Sequence, residues 1–85
     1  MTTKRLFKWL QIFASERLNI GNIEFYDEVE FPKHYKYVRA IYKEYILMLR
    51  YQDGFIIFEM RDRKTNKIMV SYFNNLNDFR REFGI

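Results

Sequence analysis

A β-hairpin is most clearly indicated by residues 45–60, YILMLRYQDGFIIFEM. Asp53 and Gly54 are typical of a two-residue turn, because both turn positions need a positive φ and these residue types tolerate it. Pairing outward from the turn brings two alternating runs into one register. One face then carries Tyr45, Leu47, Leu49 and Tyr51 opposite Ile56, Phe58 and Met60. The agreement of the two runs predicts antiparallel strands over 45–52 and 55–62.

A third strand extends this meander. Residues 63–66 read RKTN and predict a turn in which Asn66 takes a left-handed conformation. The strand that follows covers 67–73, and we expect Ile68, Val70 and Tyr72 to continue the face of Leu47 and Phe58. The other face of the meander would then carry Ile46, Met48, Phe55, Ile57, Met69 and Phe73, mixed with Arg50, Glu59, Arg61, Lys67 and Ser71.

A helix is predicted at each end of the chain. Residues 4–18 carry apolar side chains at helical spacing, and Asn19 can close this helix in a left-handed conformation. Residues 76–83 form a second, shorter amphipathic segment, with Asn75 as its N-cap and Gly84 after its end. The buried stripe of the first helix is expected to consist of Leu6, Trp9, Leu10, Phe13 and Leu18.

Residues 23–31 alternate with a period of two. Ile23, Phe25, Val29 and Phe31 are expected on one face, and the glutamates on the other, with Asp27 as the exception on the apolar face. Pro32 cannot donate to a β-ladder, so it ends the strand.

Residues 33–44 fit two structures. Their cations are spaced by three and four, which is typical of a helix, whereas their tyrosines and the preceding strand favour a β-hairpin. We predict a short helix that gives way to a strand near Glu44, and the hairpin stays open as the alternative.

Together these segments predict one α+β domain over residues 1–85. It has an N-terminal helix, an antiparallel sheet of three to four strands that includes the meander, and a short C-terminal helix. A single domain is expected because a chain of 85 residues buries only about 60 to 65% of its unfolded surface and has no material for a second core.

The composition excludes several classes of function. The chain has no cysteine, so thiol catalysis, disulfides and thiolate zinc sites are excluded. His34 is the sole histidine and has no nucleophile or orienting carboxylate in a recognisable motif around it. The acidic residues 24–30 alternate between faces, and the three glycines form no phosphate-binding loop. We therefore expect neither an enzyme nor a cofactor or metal.

The residue usage also suggests where the protein acts. No apolar run approaches the roughly 18 residues of a membrane span, so a cytoplasmic protein without membrane contact is expected. Half of the residues are of types with AT-rich codons, which suggests a phage, a virus or another mobile element as the source, and then the host cytoplasm as the compartment.

The net charge of +4 is a weak indication of nucleic acid. Residues 1–20 carry +3, 21–32 carry −4, 33–52 carry +4 and 53–85 carry +1, which sum to +4. An acidic segment between two basic ones can be neutralised within the fold. The charge alone therefore does not identify the partner.

The leading hypothesis is a small regulator or inhibitor that binds another macromolecule, above all a protein, through the second face of the meander. That face combines apolar side chains with charged neighbours, as protein interfaces do. A homodimer is another use of the same face. The candidate partner-binding residues are Phe55, Ile57, Met48, Arg50, Arg61, Met69 and Phe73.

The alternative hypothesis is direct binding of nucleic acid by the basic, tyrosine-rich segment 33–51. Cations would contact phosphates while tyrosine rings stack on bases. The candidate residues are Lys33, Tyr35, Lys36, Tyr37, Arg39 and Lys43, assisted by Lys4, Arg5 and Lys8 of the first helix.

Overall fold

The computed structural model describes residues 1–30 and 35–85 as two helices and one five-stranded antiparallel sheet. The elements, in chain order, are α1 (Thr3–Arg17), β1 (Glu24–Glu30), β2 (Tyr35–Tyr42), β3 (Tyr45–Gln52), β4 (Phe55–Asp62), β5 (Ile68–Phe73) and α2 (Leu76–Phe83). The strands lie side by side in sequence order. The predicted α+β class is confirmed, but the sheet has one strand more than the upper number expected.

The additional strand is β2, so the prediction of a short helix over 33–44 is wrong for its described part. Residues 35–42 pair along their full length with β3, from Tyr35 opposite Gln52 to Tyr42 opposite Tyr45, and with β1 on the other side. Lys43 begins the connecting turn with φ 52°. Hydrogen bonding on both sides outweighs the helical spacing of the charges. Lys33 and His34 lie outside the described residues.

The hairpin between β3 and β4 has the predicted register. Asp53 and Gly54 have φ values of 49° and 90°, and Gln52 pairs with Phe55 immediately outside the turn. Leu49 lies opposite Phe58, as expected from the two alternations. Local turn chemistry and side-chain pattern therefore specify the same pairing.

The expected face of β5 is wrong. Phe58 pairs with Ser71 and Met60 pairs with Met69, so the odd-numbered residues of β5 lie on the face of Leu47 and Leu49. Ile68, Val70 and Tyr72 therefore lie on the other face. Both alternating sets of this strand are largely apolar, so its pattern does not identify the core side. The length of the turn identifies the core side, because the hydrogen bond from Asp62 N to Lys67 O, 2.9 Å long, sets the register.

The alternation predicted for β1 is interrupted by a β-bulge. Phe25 pairs with Ala40 whereas Asp27 pairs with the next residue of β2, Arg39, so Tyr26 is the extra residue. Phe25 and Val29 consequently lie on opposite faces rather than on one. The bulge turns Asp27 toward Arg39, which explains why an acidic residue stands in the apolar series.

Both helices pack on the same side of the sheet. Helix α1 contacts β1, β2 and β3, and α2 contacts β4 and β5. Residues 35–42 are part of the sheet and do not cover its second side. We call the covered side the helix face and the other side the open face. The open face comprises Glu24, Asp27 and Val29 of β1, Tyr35, Tyr37, Arg39 and Ile41 of β2, Ile46, Met48, Arg50 and Gln52 of β3, Phe55, Ile57, Glu59 and Arg61 of β4, and Ile68, Val70 and Tyr72 of β5.

The helix ends follow the local sequence signals. Thr2 Oγ1 accepts a hydrogen bond from Arg5 N at 3.1 Å, and Asn75 Oδ1 accepts from Asp78 N at 2.8 Å. Gly84 takes the left-handed conformation that ends α2. These caps satisfy backbone groups that a helix terminus leaves without partners, so both helices form where the sequence predicts them.

The core lies between the helices and the helix face. At its centre, the Phe58 ring centroid is 4.6 Å from that of Phe13, 5.6 Å from Phe79 and 5.5 Å from Phe83. Phe58 and Phe79 are fully buried. These aromatic contacts join both helices to the middle of the sheet, and each aromatic pair adds to the free energy of area burial.

Two side chains fix the helices further. The Gln11 amide donates to Gly21 O at 3.2 Å and accepts from Ile23 N at 3.0 Å, which closes the connection between α1 and β1. Arg80 of α2 places its guanidinium carbon 4.3 Å from the Trp9 ring centroid of α1. The helices are thus tied to each other as well as to the sheet.

Replacing Phe58 with alanine is expected to lower the free energy of unfolding by about 3 to 5 kcal/mol, because it leaves a cavity among three other rings. Phe55→Ala on the same strand is the matched control and should change it by less than about 1 kcal/mol, since the Phe55 side chain is exposed. Equilibrium urea denaturation measures both values. Equal losses for the two variants would contradict the placement of the core.

Candidate functional site

The open face is an apolar surface that neither helix covers. Tyr72 is 72% exposed, Ile68 53% and Phe55 52%, and neither helix packs against this side. Single exposed apolar residues are common on proteins, but a contiguous group across several strands indicates a contact surface. The open face is therefore the candidate functional site.

A row of four side chains crosses the open face from β2 to β5. Tyr37 pairs with Arg50, Arg50 with Ile57, and Ile57 with Tyr72. Ile57 is buried although it lies outside the core cluster that the helices cover. Its larger neighbours therefore enclose it on the open side, and the row presents an apolar centre flanked by polar groups.

A shallow cleft of about 560 Å³ lies at the hairpin end of this row. Phe55, Ile57, Tyr72 and Phe73 form its apolar lining, and Arg50, Gln52, Asp53 and Asn74 contribute polar atoms. Most binding pockets combine apolar walls with a few polar groups in this way. The cleft is large enough to admit side chains of a partner.

Arg50 supplies the positive charge of the cleft. Its Nη1 donates to the Tyr35 hydroxyl at 3.3 Å, and its guanidinium carbon is 5.7 Å from the Tyr35 ring centroid. The Nε–H of Arg50 is buried and has no acceptor within the described residues. A buried donor without an acceptor is costly, so a carboxylate brought by a ligand would stabilise this side chain.

Arg39 and Asp27 form an ion pair at the β1 side of the open face. Arg39 Nε donates to Asp27 Oδ1 at 2.6 Å, and Nη2 donates to Oδ2, so the contact is bidentate. The hydrogen bonds that Arg39 donates to Asp27 hold the pKa of Asp27 below its usual range. The same hydrogen bonds raise the pKa of Arg39. The Tyr26 ring of the bulge lies 5.1 Å from the guanidinium carbon. The ion pair thus holds Arg39 beside aromatic neighbours.

The charged groups continue across the sheet. Arg61 on β4 contacts the Asn66 side-chain oxygen at 3.4 Å, and Glu59 lies between Met48 and Val70 in the neighbouring row. Arg39, Arg50 and Arg61 thus stand on three consecutive strands, separated by apolar side chains. No lysine belongs to the open face as defined above.

Five of the seven predicted partner-binding residues lie together on the open face: Phe55, Ile57, Met48, Arg50 and Arg61. The placement expected for the other two is wrong. Met69 and Phe73 lie on the helix face, and Phe73 packs 5.6 Å from Phe79 and 6.0 Å from Phe83 between ring centroids. Both residues are odd-numbered, and the odd-numbered residues of β5 lie on the helix face.

The same parity brings Ile68, Val70 and Tyr72 onto the open face, where the sequence reasoning did not expect them. The signal that could have found them is the length of the second turn. Four residues separate Asp62 from Lys67, and counting the strand from that pair places the even-numbered residues beside Ile57 and Glu59.

The structure divides the candidate nucleic-acid residues among separate surfaces. Tyr35, Tyr37 and Arg39 lie on the open face. Lys36 points to the opposite side, where its Nζ is 3.7 Å from Glu30 Oε1. Lys43 belongs to the turn after β2, Lys4, Arg5 and Lys8 lie on α1 behind the sheet, and Lys33 is outside the described residues.

Residues 1–30 and 35–85 contain neither a cluster of metal ligands nor a membrane-spanning helix. Within these ranges, no three His, Cys, Asp or Glu side chains are grouped so that they could hold a metal ion. None of the described helices has the length and apolar character needed to cross a bilayer.

Comparison with protein-family models, with curated proteins and with solved structures finds no match to this chain.

The contribution of the Asp27–Arg39 pair should depend on pH. Because the folded-state pKa of Asp27 is lowered, the pair stabilises the fold above the unfolded carboxylate pKa of about 3.9 and loses this effect as the pH falls through the lowered value. Asp27→Asn should therefore reduce the free energy of unfolding by about 0.5 to 1 kcal/mol at pH 7, given that both side chains are over one third exposed.

The difference between Asp27→Asn and the wild type should shrink on acidification and be small near pH 2, as measured by urea denaturation at several pH values. Glu28→Gln, on the same strand but on the other face, is the control and should have little effect at either pH. A loss that is the same at pH 7 and near pH 2 would show that the charge of Asp27 is not its cause.

Proposed function

We propose that this chain is a non-enzymatic binding protein whose open face docks onto another protein. The proposal is supported above all by the uncovered apolar sheet face with arginines set into it. A chain of this size that acts only by binding would work as a regulator or inhibitor of its partner.

The composition of the open face favours a protein partner. Protein interfaces are enriched in aromatic residues, methionine and arginine and are depleted of lysine. The open face carries tyrosine, phenylalanine and methionine together with Arg39, Arg50 and Arg61, and has no lysine among its members. The lysines of α1, by contrast, lie on the far side of the molecule.

The open face is close in size to what a specific complex needs. Five strands about 4.8 Å apart and about eight residues of 3.3 Å give a projected area of roughly 630 Å², and about 590 Å² when the unequal strand lengths are considered. A standard interface takes about 800 Å² of accessible surface from each partner. Contact would therefore have to use essentially the whole open face together with residues at its rim.

The cleft at Arg50 is the expected centre of binding energy. Hot spots of interfaces are rich in tyrosine and arginine and are shielded from water by surrounding contacts. An apolar side chain of the partner would fit between Phe55 and Tyr72 over Ile57, and an adjacent carboxylate would pair with the guanidinium group of Arg50. The preferred partner surface is thus apolar with an acidic group at its centre.

Binding of nucleic acid stays the alternative proposal. Tyr35, Tyr37 and Arg39 lie together and could serve a single strand. Their rings and guanidinium groups already contact one another, however, with Arg39 5.6 Å from the Tyr37 ring centroid and Tyr35 5.9 Å from Tyr37. Because Lys36, Lys43 and the cations of α1 lie elsewhere, the open face adds only Arg50 and Arg61 as further phosphate contacts.

Site-specific photocrosslinking tests the leading proposal. A benzoylphenylalanine placed at Tyr72 is expected to crosslink a discrete protein in nuclease-treated lysate of the source cell, because this side chain stands at the cleft. The same probe at Tyr45 is the matched control, since that tyrosine is also exposed but belongs to the other face of β3. Equal crosslinking from both positions would contradict the proposed surface.

Variants then identify the chemistry of the contact. Phe55→Asp and Tyr72→Asp should each weaken affinity for the crosslinked protein at least tenfold, whereas Tyr45→Asp should leave it unchanged. Circular dichroism must show that all three fold. Retained affinity in both open-face variants would remove the cleft from the interface.

Titration of labelled single- and double-stranded DNA and RNA tests the alternative. Affinity that is micromolar at about 50 mM salt and falls steeply at about 200 mM would support nucleic-acid binding. Lys8→Glu should affect such binding only if α1 takes part, and Tyr37→Ala only if the open face does. No binding at the lower salt concentration would exclude this alternative.

A further inference from the structure

The two edges of the sheet differ sharply in how they are protected. The β1 edge, EFYDEVE, carries four carboxylates and is distorted by the bulge at Tyr26. The β5 edge, IMVSYF, has no charged residue and no proline, and most of its side chains are exposed. Charges and bulges are the usual means by which proteins prevent edge strands from pairing, so one edge is protected and the other is open.

The backbone groups that β5 offers can be identified from its register. Lys67 O accepts a hydrogen bond from Asp62 N, so the backbone N–H and C=O groups of Lys67 point toward β4. The backbone groups of the odd-numbered residues after it point toward β4 as well. The turn at 53–54 gives the same result. The backbone groups of Gln52 and Phe55 point toward each other, so those of the even-numbered residues of β4 point toward β5. The N–H and C=O groups of Ile68, Val70 and Tyr72 therefore point outward, where no strand of the described chain pairs with them.

We infer that β5 pairs with β5 of a second copy of this chain. The two strands run antiparallel about a twofold axis that passes midway between the two Val70 residues, perpendicular to the sheet. The two five-stranded sheets become one continuous sheet of ten strands. This inference does not rest on the proposed function of the open face.

Two independent requirements select this register. Residues that face each other across an antiparallel pair must lie on the same face of the sheet, and hydrogen-bonded pairs must both point their backbone groups outward. Pairing Val70 with Val70 of the second copy satisfies both, and sets Ile68 opposite Tyr72 on each side. About six interchain hydrogen bonds then form, whereas a shift by two residues in either direction leaves fewer.

The side chains of β5 are complementary to themselves in this register. Ile68 beside Tyr72 is an aromatic and β-branched pair, which is among the favourable cross-strand combinations, and Val70 meets Val70. No residue within β5 is charged; Lys67, just before the strand, would lie opposite Phe73 of the second copy. A second copy therefore supplies every contact that this edge requires.

The protected β1 edge explains why the assembly closes as a dimer. Pairing of β5 with β1 of another copy would repeat without end and build a filament. The carboxylates and the bulge of β1 oppose that contact, whereas β5 with β5 consumes both open edges at once. Because a single strand pair buries little surface, the dimer should be weak and depend on concentration.

The dimer would also enlarge the candidate binding surface. A twofold axis perpendicular to the sheet leaves both open faces on the same side, with the two Tyr72 side chains next to the junction. A partner with two equivalent sites would then bind the dimer more tightly than the monomer.

Amide hydrogen exchange followed by NMR tests the pairing directly. The amides of Ile68, Val70 and Tyr72 should exchange rapidly in dilute protein and at least tenfold more slowly at about 1 mM, because dimerisation protects them. The amides of Met69, Ser71 and Phe73 should be protected at both concentrations, since they face β4. Rates at Ile68, Val70 and Tyr72 that do not change with concentration would overturn the inference.

Sedimentation of matched variants separates edge pairing from face packing. Wild type should shift from 10.7 kDa toward twice that mass as its concentration rises to about 1 mM. Val70→Pro should remain monomeric and folded, because it removes an outward N–H that the β4–β5 ladder does not use. Val70→Thr keeps the N–H and a β-branched side chain and should still dimerise.

Met48→Lys, at the centre of the open face, should also dimerise like wild type. Dissociation by Met48→Lys with a persistent Val70→Pro dimer would instead place the contact on the open face and overturn the inference. A wild type that stays monomeric up to about 1 mM, or one that forms extended polymers, would overturn it as well. The partner crosslinked from the open face is a separate observation, so either proposal can fail while the other stands.

Discussion

Antiparallel pairing of β3 with β4 sends alternate side chains to the two sides of the sheet, and α1 and α2 cover only one of those sides. The rest of the structure depends on this one-sided cover. The helix face takes the buried aromatic residues, with Phe58 between Phe13 and Phe79. The open face must remain in contact with water while it carries isoleucine, methionine and tyrosine.

The arginines make such a face tolerable in water. Arg39 and Arg50 lie against tyrosine rings, with their guanidinium carbons 5.1 Å from Tyr26 and 5.7 Å from Tyr35. Their aliphatic stems can cover apolar neighbours while the charged heads stay hydrated. The same arrangement holds the charges in fixed positions, so a partner would meet a surface that is already ordered, which lowers the entropy lost on binding.

Protection against unwanted pairing is concentrated at one edge. The bulge at Tyr26 brings Asp27 to Arg39 and also distorts the outer strand, so a single irregularity both completes the open face and blocks the β1 edge. The β5 edge has neither device. This difference between two edges of one sheet gives the molecule a direction in which it can associate.

Local sequence signals were enough for both helices, their caps at Asn75 and Gly84, and the hairpin at Asp53 and Gly54, because each depends on residues within a few positions. Five open-face residues followed from that hairpin. Tertiary pairing alone decided that 35–42 is a strand and that β1 bulges, whereas the length of the second turn together with pairing to β4 put Val70 rather than Met69 beside Glu59. In each of these cases the side-chain pattern fits more than one structure, and hydrogen bonds to a neighbouring strand select between them.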